Sequence, residues 1–358
     1  MSGRLDALQA KVAERELGAL LVSNLVNLRW LTGFTGTNGA AVVGASTPRF
    51  VTDFRYLTQS ATQLDAVWER EMETDLLKRV VDGLSAGSLK LGFDDAHLTV
   101  AQHARMLKLV GERGDVELVA AGGIVEALRA VKDDAEIDKI RAAAKLADAA
   151  FEEVVGAGIV GRTERDVALD LEIAMRRRGA EGSSFAPIVA AGAHGALPHA
   201  VPRDVPIPVG TLVVIDWGAQ LDGYASDCTR TVATGELDPR DRAVYNTVLA
   251  AQEAALAAVC AGPTGQEVDA IARAIIDDAG HAEHFGHGLG HGVGMEVHEG
   301  PRLSKLGKEA LVAGNIVTVE PGIYVPGAVG VRIEDLVAVT EDGHDVLNGL
   351  PKALRIVQ

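Results

Sequence analysis

Aromatic side chains make up only 4% of the 358 residues, and there are two cysteines, Cys228 and Cys260. The core must therefore be built from small aliphatics, and neither a disulfide framework nor a C-x-x-C metal site is available. No run of eighteen apolar residues occurs, so no membrane-spanning helix is expected. The opening stretch MSGRLDALQAKVAERELGAL is charged and amphipathic, without an apolar signal core. Together with the sparse cysteines it predicts a reducing, cytoplasmic setting. Basic residues are outnumbered, 34 against 50, for a net charge of −16. That disfavours nucleic acid or an anionic membrane as a partner, but suits metal cations wherever carboxylates converge. No H-E-x-x-H zinc helix and no G-x-S-x-G nucleophile turn is present, and the glycine-rich stretch does not fit G-x-G-x-x-G.

That stretch, His284 to Glu299, reads HFGHGLGHGVGMEVHE, with glycine at 286, 288, 290, 292 and 294. Each glycine costs a helix about 1 kcal/mol against alanine, so the stretch is expected to be extended. Side chains then alternate faces, putting His287 and His291 on one face and leaving the other bare for close approach by backbone or ligand. Five of the ten histidines fall between His281 and His298.

A length of 358 residues suggests two domains. Helices are expected over 4–18, 56–66, 72–84 and 99–109, and strands over 19–22, 40–43, 49–52 and 90–93, which makes a small α/β domain, 1–125. A long alanine-rich helix follows, capped by Asp133 or Asp134 with Glu136 in its first turn, and opens a second domain, 132–358. Further helices are expected at 163–178, 239–260 and 267–279. Between them lie two strand pairs: 212–217 with 224–232, turning at Asp222-Gly223, and 316–320 with 331–339, turning through 324–330. The second domain is thus α+β, helices on a mostly antiparallel sheet, and the paired hairpins hint at an internal repeat.

Both hairpins carry acids within apolar strands, where a free charge is costly. In the first, Asp216 lies opposite Asp227 or one pair diagonal to it, and either register leaves both on one face. In the second, Glu320 and Glu334 are symmetric about residue 327, inside the turn region. Four such carboxylates and a histidine on a glycine-stripped strand call for cations, and two divalent ions would carry the matching +4. Cys228 adjoins Asp227, so it is expected to point the other way and pack in the core.

DWGA around Asp216, SDCTRT around Asp227, HGLGHGVGMEVHE around His291, VEPGIY around Glu320 and RIED around Glu334 resemble the creatinase/aminopeptidase fold. Within it they are most similar to the Xaa-Pro peptidases, aminopeptidase P and prolidase. The resemblance spans essentially the whole chain and implies a small N-terminal creatinase-like domain, containing TDFRY, then a C-terminal pita-bread domain with a curved, mostly antiparallel sheet covered by helices. It implies a dinuclear metal site: Asp227 and Glu334 bridging, Asp216 on one ion, His291 and Glu320 on the other. Cys228 stands where the family often has an aliphatic residue, outside that ligand set. Hard ligands suit manganese, with cobalt or zinc as alternatives. Two close cations can share a water, present it as hydroxide and polarise the scissile carbonyl.

By the same resemblance Glu320 shuttles the proton to the leaving nitrogen. His199, His287 and His298 hold substrate or donate to the oxyanion, and Arg332 steadies the carboxylates. Arg55, beside Asp53 and Tyr56, either meets the substrate or forms a strand-end ion pair. The implied partners are proline-containing peptides and a second copy of the chain. The leading function is removal of the first residue before proline, as by aminopeptidase P. The alternative is a prolidase, for which Arg55 and Arg203 are candidate clamps on a dipeptide's carboxylate. More distant alternatives are an inactive binding module, a creatinase-like amidinohydrolase and methionine aminopeptidase. All five ligands are present, which disfavours the first two. The long preceding domain disfavours the third.

Overall fold

The structure, a computed structural model, describes residues 2–358. Contacts divide it into two compact units, ending and beginning at Arg129 and Ala130. The first contains α1 (Ser2–Glu14), β1 (Ala19–Val22), α2 (Leu25–Thr32), β2 (Ala40–Gly44), β3 (Arg49–Thr52), α3 (Leu57–Gln63), β4 (Glu69–Met72), α4 (Leu76–Asp82), β5 (Leu89–Phe93), α5 (Val100–Arg113), β6 (Val116–Ala120) and α6 (Ile124–Arg129). Its single sheet has the order β4-β3-β2-β1-β5-β6, mixed parallel and antiparallel.

The strands expected from apolar runs, β1, β2, β3 and β5, are there. The two edge strands are not visible in the sequence pattern. In β4 the residues are EREM, all at least partly exposed, so no apolar alternation marks it. Its last residue, Met72, lies where a helix was expected to begin, and α4 starts four residues later. In β6, VELVA is likewise only partly covered. The short helices α2 and α6 were also not anticipated.

The second unit contains α7 (Asp134–Gly156), α8 (Glu164–Arg177), β7 (Gly182–Ser183), β8 (Ile188–Ala191), β9 (Leu212–Trp217), β10 (Ala219–Leu221), β11 (Tyr224–Ala225), β12 (Cys228–Ala233), α9 (Pro239–Ala257), α10 (Gly265–Asp278), β13 (Gly290–Gly292), β14 (Glu299–Leu303), β15 (Ile316–Val319), β16 (Gly322–Val325), β17 (Val329–Arg332), β18 (Asp335–Val339) and β19 (His344–Val346). The caps explain the helix starts. Asp133, Thr163, Asp238 and Thr264 each accept a backbone N–H of the first turn. Asp133 with Glu136 and Thr264 with Glu267 form reciprocal capping boxes.

Helix α7 is held against β9 by Trp217, which is fully buried, stacks on Phe151 at 4.3 Å between centroids and donates from its indole to the Ala147 carbonyl at 2.9 Å. That contact fixes the strand on which Asp216 sits. Cys228 is buried in the same apolar cluster, as expected from its parity. Burial, first of all, pushes its thiol well above the ordinary range, which makes it a packing residue. Among the described residues no helix is long and apolar enough to cross a membrane.

Candidate metal centre

The two acidic hairpins form, but neither is continuous. In the first, β9 pairs with β12 so that Asp216 faces Thr229, and the turn at Asp222 and Gly223 has positive φ at both residues. Asp227, two residues before Thr229, is therefore the diagonal neighbour of Asp216, one of the two registers expected. The ladder breaks between Ala225 and Cys228. There Gly218 approaches so closely that a Cβ on it would stand 2.0 Å from the Ser226 carbonyl oxygen. In the second hairpin β15 pairs with β18 and β16 with β17 in one common register, Val319 with Asp335 and Gly322 with Arg332. Glu320 and Glu334 face each other at the gap between those pairs.

At that gap the backbone bonds turn outward. Glu320 N donates to Leu289 O at 2.8 Å, and Glu334 N to Thr229 O at 3.1 Å. The second hairpin is thereby tied to the glycine-rich stretch on one side and to the first hairpin on the other. The strands expected as single runs over 224–232 and 331–339 are thus each interrupted beside their acid. The interruption is what brings the four carboxylates together.

Of the glycine-rich stretch, expected to be extended, only Gly290–Gly292 pairs as a strand, between β14 and β15, with a bulge after His291 and bends on either side. Its bare face is used by backbone. A Cβ on Gly290 would meet Thr318 O at 2.0 Å, and one on Gly292 would meet Gly300 O at 2.0 Å. His287 and His291 both line the cavity, while Leu289 between them turns into the core. The stretch is therefore not one regular strand. His291 Nε2 lies 3.2 Å from Glu320 Oε1 and 3.7 Å from Asp227 Oδ2. Ligand atoms of Asp216, Asp227 and Glu334 lie within 4.8 Å of one another.

This donor set fits cations. Among the described residues, Asp216 Oδ1 and Glu334 Oε1 are buried oxygens without a hydrogen-bond partner. Burial first, then repulsion from the neighbouring acids, pushes Asp227 and Glu334 well above the usual carboxylate range. Burial also raises Asp216, though Arg332 opposes it. Burial raises Glu320 as well, but the bond and charge of His291 outweigh it and hold Glu320 at about 2. Orphaned, mutually repelling oxygens in a buried cluster are what divalent ions neutralise.

Around this cluster Arg332 makes the widest set of bonds. It reaches Asp216 Oδ2 with Nη2 at 2.5 Å, the Tyr324 hydroxyl with Nη1 at 2.9 Å and Thr229 Oγ1 with Nε at 3.0 Å. Its direct carboxylate partner is Asp216, not its near neighbour Glu334. Thr229 donates in turn to Glu334 Oε2 at 2.8 Å, and Thr318 to Glu320 Oε1 at 2.9 Å. Tyr324, accepting from Arg332, donates to His287 Nε2 at 2.9 Å, and His287 Nδ1 then donates to Gly288 O at 2.7 Å. Both nitrogens of His287 are thus bound within the protein. Among the described residues the rings of His199 and His298 make no hydrogen bond, and both face the cavity. The His298 ring lies 4.4 Å from that of His291.

Thr229, Thr318 and Tyr324 were not singled out from the sequence. Thr229 and Tyr324 stand inside the motifs SDCTRT and VEPGIY, which was the available signal. The cavity measures about 450 Å³ and part of its wall is apolar, with Phe185, Pro187, Ile188 and Val201. Arg55, in the first unit, binds Asp53 with Nε at 2.9 Å and Nη2 at 2.8 Å. Of its two readings, the ion pair is what the structure shows. Arg203, the other candidate clamp, is bonded to Glu164 through Nε at 3.0 Å and Nη2 at 2.9 Å.

Stripped of metal, the protein should lose stability as pH rises. Asp227 and Glu334 have folded pKa values above their unfolded ones. Between those values the native state binds more protons than the unfolded state, so its stability falls with pH. Melting temperatures of chelated protein should therefore decline from about pH 4.5 upward, and saturating divalent metal should abolish the decline. Equal slopes with and without metal would contradict this reading.

Residues 138–341, more than half of the chain, match metallopeptidase family M24. The chain belongs to that family. Residues 4–131 match the Creatinase/Prolidase N-terminal domain. This M24 metallopeptidase is a hydrolase, its second unit has the pita-bread fold, and its family makes divalent metal ions the cofactor. It is 40% identical over 355 residues to an uncharacterized peptidase of Bacillus subtilis, covering 99% of this chain and all of that one. It superposes on the Xaa-Pro dipeptidase from Bacillus anthracis with TM-score 0.94 and 38% identity, covering 99% of each chain. An X-Pro aminopeptidase from Thermotoga maritima gives TM-score 0.87 and 36% identity, covering 96% of this chain and 98% of that one. The resemblance read from the five motifs is thereby borne out.

Proposed function

We propose that this M24 metallopeptidase cleaves the bond before proline at the N-terminus of peptides, and that Asp216, Asp227, His291, Glu320 and Glu334 hold two divalent ions. The observation that carries the reading is the convergence of these five side chains. Four of them line a cavity that two histidines with no ring hydrogen bond among the described residues also face, and Glu334 is buried beside Asp216 and Asp227. The named activities of the Bacillus anthracis and Thermotoga maritima relatives support proline as the second residue. Four carboxylates with one imidazole suit manganese. The free cysteines suit a reducing cytoplasm, and a homodimer follows the family resemblance.

When bound, the two ions supply a water of lowered pKa as nucleophile and polarise the scissile carbonyl. The chain's own residues do the rest. Glu320, held by Thr318 and beside His291, takes the proton of the attacking water and passes it to the leaving imino nitrogen. His298 and His199 donate to the developing oxyanion, a role their unbonded rings permit. His287 keeps Tyr324 and Arg332 in line, and Arg332 holds Asp216. The apolar wall receives the side chains flanking the bond.

Substrate length divides the two sub-classes. A dipeptidase needs a cation for the proline carboxylate. Among the described residues lining the cavity the one guanidinium is Arg332, bonded to Asp216 and Tyr324 and also to the Pro198 carbonyl. Arg203 is bonded to Glu164. This favours the aminopeptidase P type. The prolidase reading is favoured by the named Bacillus anthracis relative. A chromatographic digest with manganese decides between them. Release of the first residue from Xaa-Pro-Yaa tripeptides is expected. Hydrolysis of Xaa-Pro dipeptides alone would make the protein a prolidase, and no cleavage of either would sink the proposal.

A further inference from the structure

The irregular segment from Ala191, the last residue of β8, to Arg203 brings Pro198, His199 and Val201 to the cavity wall. Both of its ends converge on one carboxylate. Glu164, the first residue of α8, has a side chain only 1% exposed. Its Oε1 accepts the Ala191 N–H at 2.9 Å and its Oε2 the Arg203 N–H at 3.0 Å. The Arg203 guanidinium adds its two bonds, and His194 Nδ1 lies 2.9 Å from Oε2.

Helix α8 contributes directly. First-turn N–H groups have no partner inside a helix. Here those of Glu164 and Arg165 donate to the carbonyls of Val205 at 3.2 Å and Arg203 at 3.1 Å. Midway along the segment, Arg332 Nη1 donates to Pro198 O at 3.2 Å. The turn at Gly192–Ala196 presses on β17 so tightly that a Cβ on Gly330 would stand 1.7 Å from Gly195 O. Burial raises the Glu164 carboxyl, but the bonds from Arg203 and the two amides outweigh it and keep it below the usual range.

We propose that Glu164 is a positioning residue: a buried carboxylate clasp that closes the 191–203 loop and, through Arg203 and the two loop-end amides, presents His199 to the substrate. The role in turnover rests on the peptidase reading above; the closure of the loop does not. Glutamine at 164 would set an NH₂ group against N–H donors, leaving at least one of them unpaired.

The test uses the full-length, metal-loaded protein with Glu164→Gln, Arg203→Met and both together. By hydrogen–deuterium exchange, amides of residues 191–203 should exchange about 10-fold faster or more in either variant. The kcat/KM should fall on the order of 10- to 10²-fold for Xaa-Pro dipeptides and longer peptides alike, with metal content unchanged. The double variant should stay within about two-fold of Glu164→Gln. In a His199→Ala background the effect of Glu164→Gln should shrink to within about two-fold, which a merely structural role would not produce.

Unchanged exchange in the loop would overturn the proposal, as would a full Glu164→Gln loss persisting without His199. A loss in Arg203→Met confined to dipeptides would also overturn it and make Arg203 a substrate clamp. If Glu164→Gln does not fold, Arg203→Met, altering a half-exposed side chain, carries the same exchange test. Absence of Xaa-Pro hydrolysis in the wild type would overturn the peptidase reading, and the exchange comparison would still decide the clasp.

Discussion

Removal of metal by chelator, or the substitution His291→Ala, is expected to leave less than about one part in 10² of the wild-type activity. On the proposed assignment the five ligands supply two adjacent sites. His291 Nε2 stands 3.2 Å from Glu320 and 3.7 Å from Asp227, so its loss opens the second of them while four acids still repel one another. Elemental analysis should find about two divalent ions per wild-type chain and fewer in the variant. Manganese should restore the chelated enzyme but not the variant. Full activity in a metal-free preparation would overturn the metallopeptidase mechanism at this site and favour the metal-independent creatinase-like alternative. Glu320→Gln should damage both metal binding and turnover, because the proposal makes Glu320 both a ligand and the proton carrier.

His298→Ala should behave differently: metals retained, kcat lowered by about 10² to 10³. The ring faces the cavity, makes no hydrogen bond among the described residues and lies beside His291, so removing it takes away a donor and no partner of the ligands. Burial holds His298 below its ordinary pKa, so at neutral pH it is a neutral ring with one N–H to offer. Metal content and single-turnover rates measured on the same preparation separate the two roles. If His298→Ala loses metal and His291→Ala keeps it, the two histidines are reversed.

Much of this site could be read in advance because its signals are local. Asp133 and Thr163 mark helix starts by a side chain bonding within its own first turn. Asp222-Gly223 marks a turn by its positive φ. A hairpin about residue 327 places Glu320 opposite Glu334 by counting alone. Edge strands β4 and β6 escaped because a strand covered on few sides needs no apolar alternation. Tyr324 and Thr229 escaped because their partners, His287 and Glu334, lie 37 and 105 residues away.

The sequence by itself determined the family and the face each hairpin acid takes, and named the five residues proposed as ligands. The faces follow from residue spacing and the period of an extended chain, while the family and the candidate ligands follow from the resemblance that five motifs carry. Only the tertiary structure decided that the hairpins break beside their acids, that Arg332 holds Asp216 and not Glu334, that both nitrogens of His287 are bound, and that Arg203 belongs to Glu164. Each of these is a choice of partner between segments far apart in the chain. A buried hydrogen-bonding group takes whichever complementary group the packing brings within about 3 Å, and spacing along the chain does not encode that.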